Sequence, residues 1–153
     1  MTVIVNNLTP EPVNGRGIGR LINNVLSAEN VKENRDVAVT IVGIIRMEKI
    51  NHEYRRRNSP TDVLSFNEPG KSWPKSEKNI KLGEIIICPA VVKSNAKRFG
   101  VEYPEEFKRV VIHGLLHLLG YNHLDDMAKS SENIYIYQEK YLKTAGRLRL
   151  INN

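Results

Sequence analysis

A chain of 153 residues with 23 Lys and Arg against 17 Asp and Glu carries a formal charge of +6, with a pI near 9.5. That length suits one domain whose core needs no disulfide, and the only cysteine, Cys88, excludes an intramolecular bridge and favours a reducing compartment. No apolar run approaches the roughly 18 residues of a membrane span and residues 1–7 lack the regions of a signal peptide, so a cytoplasmic protein without membrane contact is expected. The positive charge tilts the choice of partner toward polyanions.

In chain order, the β-branched run Thr2 to Asn6 reads as a strand, and the prolines and glycines between Asn7 and Gly19 read as breakers. From about Arg20 to Glu29, Leu21, Ile22, Val25 and Leu26 form a helical stripe. Asp36 to Ile45 is nearly continuously apolar, as in a central strand. Arg46 to Arg57 turns helical and basic, with Met47, Ile50 and Tyr54 on one face, and must stop before Pro60. Thr61 to Phe66 is a further strand, Asn67 to Asn79 a polar loop, and Lys81 to Cys88 a strand ended by Pro89. Pro89 opens a helix through Phe99, closed by Gly100. Pro104 opens another, with Glu105 and Glu106 at the positive end of its dipole, running to about Leu119. Ser130 or Ser131 can cap a last helix containing Ile134, Tyr137, Tyr141 and Leu142. The basic tail from Arg147 to Asn153 reads as loosely held. The order β-α-β-α-β-β-α-α-α implies an α+β fold, a mixed sheet of about four strands packed with helices, in a single domain over residues 1–153.

The chemistry concentrates between Val110 and His123. Three of the four histidines, His113, His117 and His123, lie there at relative positions 0, 4 and 10, in a segment otherwise rich in Leu, Ile and Val. Histidines at i and i+4 on a helix share one face, so both imidazoles can reach one ion. Gly120 permits the left-handed turn that ends such a helix and lets the chain deliver the third imidazole. Three imidazoles without a thiolate favour zinc, and three protein ligands leave an open position typical of a catalytic site. Asp125, Asp126 and Cys88 stand as possible fourth ligands. His52, with nothing at metal spacing beside it, reads as a core or surface residue.

The spacing matches the metzincin signature H-E-x-x-H-x-x-G-x-x-H except that Gly114 replaces the glutamate that serves those proteases as base. Peptidase chemistry is therefore disfavoured. Glycine inside a helix costs roughly 1 kcal/mol against alanine, so Gly114 implies a need for space, either beside a metal or for close helix–strand packing.

The histidine segment taken with the run Asn51 to Arg55 and the run Pro60 to Phe66 resembles the YbeY family, zinc-dependent single-strand endoribonucleases of ribosomal RNA maturation. The likeness spans nearly the whole chain, including the strand at Gly83, Glu84 and Ile85. It implies a zincin-like active-site helix, one Zn2+ held by His113, His117 and His123, and catalytic roles for Arg55 and His113. It also implies single-stranded ribosomal RNA as substrate, action in late small-subunit 3′-end processing and ribosome quality control, and the ribosome or small-subunit proteins as partners. Where the family usually has Asp before its third histidine this chain has Asn122.

A phosphodiester gains charge on its non-bridging oxygens in the transition state, which a guanidinium and a divalent cation can stabilise. Zinc can lower the pKa of bound water to about 7, so a separate protein base is not obligatory. Lys49, Arg56, Arg57, Lys97 and Arg98 can track phosphates, and Tyr54, Phe66 and Trp73 are the candidates for base stacking. The rival function is a ribosome-assembly binding factor with a structural metal; a zinc hydrolase of another substrate class is the third.

Overall fold

The computed structural model describes residues 2–32, 35–67, 80–121 and 131–152, with backbone alone at 131–133. Strand β1 (Thr2–Asn7) leads into helix α1 (Gly15–Ala28), strand β2 (Arg35–Ile41), helix α2 (Ile44–Arg55), and strands β3 (Val63–Phe66) and β4 (Ile80–Ile87). Helices α3 (Pro89–Phe99), α4 (Tyr103–Leu118) and α5 (Ser131–Ala145) complete the α+β order expected from the sequence. The four strands form one sheet in the order β1-β2-β4-β3, with β1, β2 and β4 parallel and β3 antiparallel to β4 at the edge. No helix among the described residues is long and apolar enough to cross a membrane.

Strand alternation divides the interior into two clusters. On one face Val37, Val39, Ile41, Ile85 and Ile87 pack against Ile18, Leu21, Ile22 and Val25 of α1 and Phe107, Val111 and Leu115 of α4. On the other, Leu64, Ile86 and Cys88 pack against Val42 and Met47, so α2 covers the reverse side. The cluster on the first face holds more buried residues than the second, and its burial fixes α4 against the sheet.

Three boundaries differ from the sequence reading. Helix α1 begins at Gly15, because Asn14 Oδ1 accepts from the Gly17 amide at 3.0 Å and caps the first turn. Its glycines give room: a Cβ on Gly17 would stand 2.0 Å from the Arg149 carbonyl oxygen. Strand β2 stops at Ile41, where its partner β4 ends at Ile87, and Ile44 and Ile45 belong to α2 instead, exposed in its first turn. The tail is pinned rather than loose: Leu150 is buried, Val13 bridges Ile151, and the Asn14 amide donates to the Leu150 carbonyl at 2.7 Å. Most of the polar loop, residues 68–79, lies outside the described residues.

A polar tie joins three elements under this layer. The hydroxyls of Tyr121 and Tyr141 both donate to Glu29 Oε1, at 2.9 and 2.7 Å. Burial first, then the hydrogen bond and charge of Glu29, push both phenols up from their ordinary value. A phenol raised in the folded state leaves stability intact below the unfolded pKa of about 10 and removes it as pH rises beyond. The melting temperature is therefore expected to fall above about pH 10, and to fall less steeply in Glu29→Gln, whose side chain carries no charge. Identical alkaline profiles for the two proteins in a thermal-melt series would rule the tie out as the cause.

Candidate active site

Helix α4 carries the two described histidines of the cluster. It is opened by Pro104, has Glu105 and Glu106 in its first turn, and ends at Leu118 with Gly120 at φ +96°, the left-handed geometry its missing side chain allows. His113 and His117 are half-buried, one turn apart. Their rings meet edge-on with centroids 4.6 Å apart, and Nε2 of one lies 3.0 Å from Nε2 of the other. Two nitrogens each about 2.0–2.1 Å from a tetrahedral zinc would stand roughly 3.3 Å apart, so this convergence fits a shared ion. His113 Nδ1 lies 2.6 Å from Gln138 Oε1 on α5. Among the described residues no group of three His, Cys, Asp or Glu is placed to hold a metal; His123, like Asn122, Asp125 and Asp126, lies outside them.

A cleft of about 550 Å³ opens over the β3 edge and is lined by Arg55, Val63, Leu64, Ser65, Asn67, His113, His117, Gly120 and Tyr121. Arg55 ends α2, on the reverse side of the sheet from α4, and the two meet only because β3 is the outermost strand between them. Asn51 sets this end of α2: its buried amide donates to the Ser59 carbonyl at 2.7 Å, holding the turn that follows Arg55. Arg56 closes the helix in the left-handed region at φ 56°, and Arg55, Arg56 and Arg57 are all exposed.

The family comparison matches "Endoribonuclease YbeY" to residues 6–146 of this chain. The chain belongs to the YbeY family. It is 40% identical over 103 residues to an endoribonuclease YbeY of Francisella tularensis subsp. tularensis, an alignment covering 66% of this chain and 64% of that relative's length. A Thermotoga maritima endoribonuclease YbeY is 37% identical over 115 residues, 73% of this chain and 70% of the relative. The solution structure of TM1509 from Thermotoga maritima superposes with a TM-score of 0.63 at 26% identity, covering 94% of this chain and 89% of the other.

Within this YbeY-family fold the remaining expected residues scatter. Cys88 is buried in the cluster beneath α2, away from the histidine cleft, and burial pushes its thiol up; it is not a fourth ligand. Tyr54 packs on Phe66 with ring centroids 4.8 Å apart, while Trp73 lies outside the described residues. Arg98 lies over Phe99 at 5.1 Å, and neither it nor Lys97, Lys49, Arg56 or Arg57 lines the cleft. His52 is exposed on α2. Two cleft residues that sequence reasoning missed hold α4 in place: Ser65 Oγ donates to the Gly114 carbonyl at 2.9 Å, and Asn67 Nδ2 to the Leu118 carbonyl at 3.1 Å. Both sit at or beside a strand end with polar side chains, a pattern too common to single out. Gln138, also missed, is an amide among the polar residues of α5, and only tertiary packing turns it toward His113.

Gly114 has a structural explanation. A Cβ there would stand 2.7 Å from Ile85 Cγ2 and 3.2 Å from both Ser65 Oγ and Val63 Cγ2, so the glycine admits the sheet against α4. Gly114→Ala gains about 1 kcal/mol of helix propensity but overpacks a contact whose cost is about 1–3 kcal/mol. Urea denaturation should show a net loss of stability of up to about 2 kcal/mol; a net gain would mean that α4 can withdraw freely from the sheet.

Proposed function

We propose that this chain is a zinc-dependent, single-strand-specific endoribonuclease acting in ribosomal RNA maturation. The observation that carries the proposal is that Arg55, His113 and His117 line one cleft although Arg55 and His113 lie 58 positions apart in sequence. Family membership supports the reaction class, since the relatives bear the name endoribonuclease.

In this proposal His113, His117 and His123 hold one Zn2+, with the two described Nε2 atoms converging as such a site requires. When bound, the ion supplies Lewis acidity toward a phosphate oxygen. The chain's own contribution is positional and electrostatic. Arg55 offers a planar guanidinium with several donors, suited to the non-bridging oxygens of a phosphodiester as their charge grows. His113, which faces the same cleft, is both ligand and catalytic residue. The open cleft and the basic end of α2 suit a single strand, whose phosphates Arg56 and Arg57 can meet outside the cleft. The residues act as one metal-dependent hydrolase domain over 1–153, in the cytoplasm, on ribosomal RNA presented by the ribosome or its small-subunit proteins. Late small-subunit 3′-end processing and ribosome quality control are the proposed settings.

Because Arg55 is exposed, Arg55→Ala should fold and bind zinc normally while cleaving single-stranded RNA about 10²-fold or more slowly, the usual effect of losing one transition-state charge partner. His117→Ala should lose both zinc and cleavage. Metal content and RNA gels, in preparations free of contaminating nuclease, check both. Undiminished processing by Arg55→Ala, with a large fall in melting temperature on metal removal, would favour an assembly factor with a structural metal instead.

A further inference from the structure

His113 can serve a metal through Nε2 only if its proton sits on Nδ1, and the surroundings decide where that proton sits. Gln138 is 5% exposed, and its Oε1 lies 2.6 Å from His113 Nδ1. An amide side chain can turn either way, so something must keep the oxygen toward the ring. Its Nε2 donates to Glu139 Oε1 at 3.4 Å, and a carboxylate only accepts. Glu139 is in turn held by α4: Arg109 Nε donates to Glu139 Oε1 at 2.8 Å, and its Nη1 to Glu106 Oε2 at 2.8 Å. Arg109 cannot accept, so the direction of every hydrogen bond in the chain is set from that end. The hydrogen bond from Arg109 holds the Glu139 carboxyl below the usual range and keeps it an acceptor.

We infer that Gln138 is a positioning residue: the chain Glu106–Arg109–Glu139–Gln138 fixes the tautomer and ring orientation of His113 so that its Nε2 lone pair points at His117. Seen from the ring, Gln138 Oε1 must receive the Nδ1 proton, which leaves Nε2 as the acceptor facing His117 Nε2 across 3.0 Å. The place between those two nitrogens then takes a proton from His117 or a cation, and a divalent cation is the ligand for which an imidazole held from its far side is suited. Gln138 does not itself line the histidine cleft and contacts it through His113. Its action passes through His113 alone. The inference rests on the proposed metal site for its functional meaning but not for its tautomer.

The experiment uses the full chain with nitrogen-15-labelled histidine. In metal-free wild type the ring shifts of His113 should report hydrogen on Nδ1. Gln138→Leu should shift the ring toward the other tautomer and weaken zinc binding, read by chelator competition, about 10–100-fold, with the melting temperature of the metal-free protein little changed. Gln138→Glu, which keeps an acceptor, should retain the wild-type tautomer and bind zinc at least as tightly as wild type. If Gln138→Leu fails to fold, Glu139→Gln serves: an amide there no longer dictates which way Gln138 turns, and a mixture of tautomers is expected. A wild-type tautomer and zinc affinity in Gln138→Leu, or an unmixed wild-type tautomer in Glu139→Gln, overturns the inference. Wild type that binds no zinc overturns the metal proposal instead, and the metal-free tautomer then tests Gln138 by itself.

Discussion

The close approach of α4 to the β3–β4 edge at Gly114 is the constraint on which the site depends. With no side chain at that position, Ile85, Val63 and Ser65 come into contact with the helix backbone, and Ser65 hydrogen-bonds to the Gly114 carbonyl. Asn67 satisfies the carbonyl of Leu118, one of the acceptors that a helix C-terminus leaves without an intrahelical partner. Both bonds come from the edge strand or the residue after it. The two histidines are thus held by packing and by side-chain hydrogen bonds to the helix backbone at fixed height above β3, a rigid mounting of the kind a metal or catalytic site requires.

The same edge strand explains how residues from opposite faces of a sheet share a cleft. Val63 and Ser65 face α4, while Leu64 and Phe66 face α2, so a four-residue strand is the whole thickness of the wall between Arg55 and the histidines. A central strand could not do this, because its neighbours would fill the space on both sides. Arg55 also stands in the last turn of α2, where the helix dipole favours a cation and partly offsets its repulsion from Arg56 and Arg57.

Behind the histidines a second layer ties α5 and α1 to α4. The Glu106–Arg109–Glu139 cluster clasps α4 to α5, and the two tyrosines on Glu29 fasten the residue after Gly120 to the end of α1. Burial pushes the Arg109 guanidinium down, yet the hydrogen bonds it donates to Glu139 and Glu106 and their negative charge raise it overall. Tyr121, two residues before His123 in sequence, is buried and lines the cleft.

Much of this is legible in the sequence. Strand and helix order followed from alternation, apolar stripes and the prolines that open α3 and α4, all local properties that one chain segment expresses by itself. The i and i+4 histidines and the turn at Gly120 were legible for the same reason, and so was the family likeness. Local pattern misled where a tertiary partner intervened: β2 ended early because β4 ended, and the tail that composition marked as loose is buried at Leu150 under long-range contacts. Gly114 carried two meanings in sequence, room for a metal or room for a strand, and only the distances to Ile85 and Val63 chose the second. Gln138 carried none until α5 packed on α4. What the sequence by itself determined was the set of chemical groups and their local spacing; what only the tertiary structure decided was which distant groups face one another. Periodicity is written along the chain, whereas the meeting of Arg55 and His113 depends on how α2 and α4 flank one edge strand, and that of His113 and Gln138 on how α5 packs against α4.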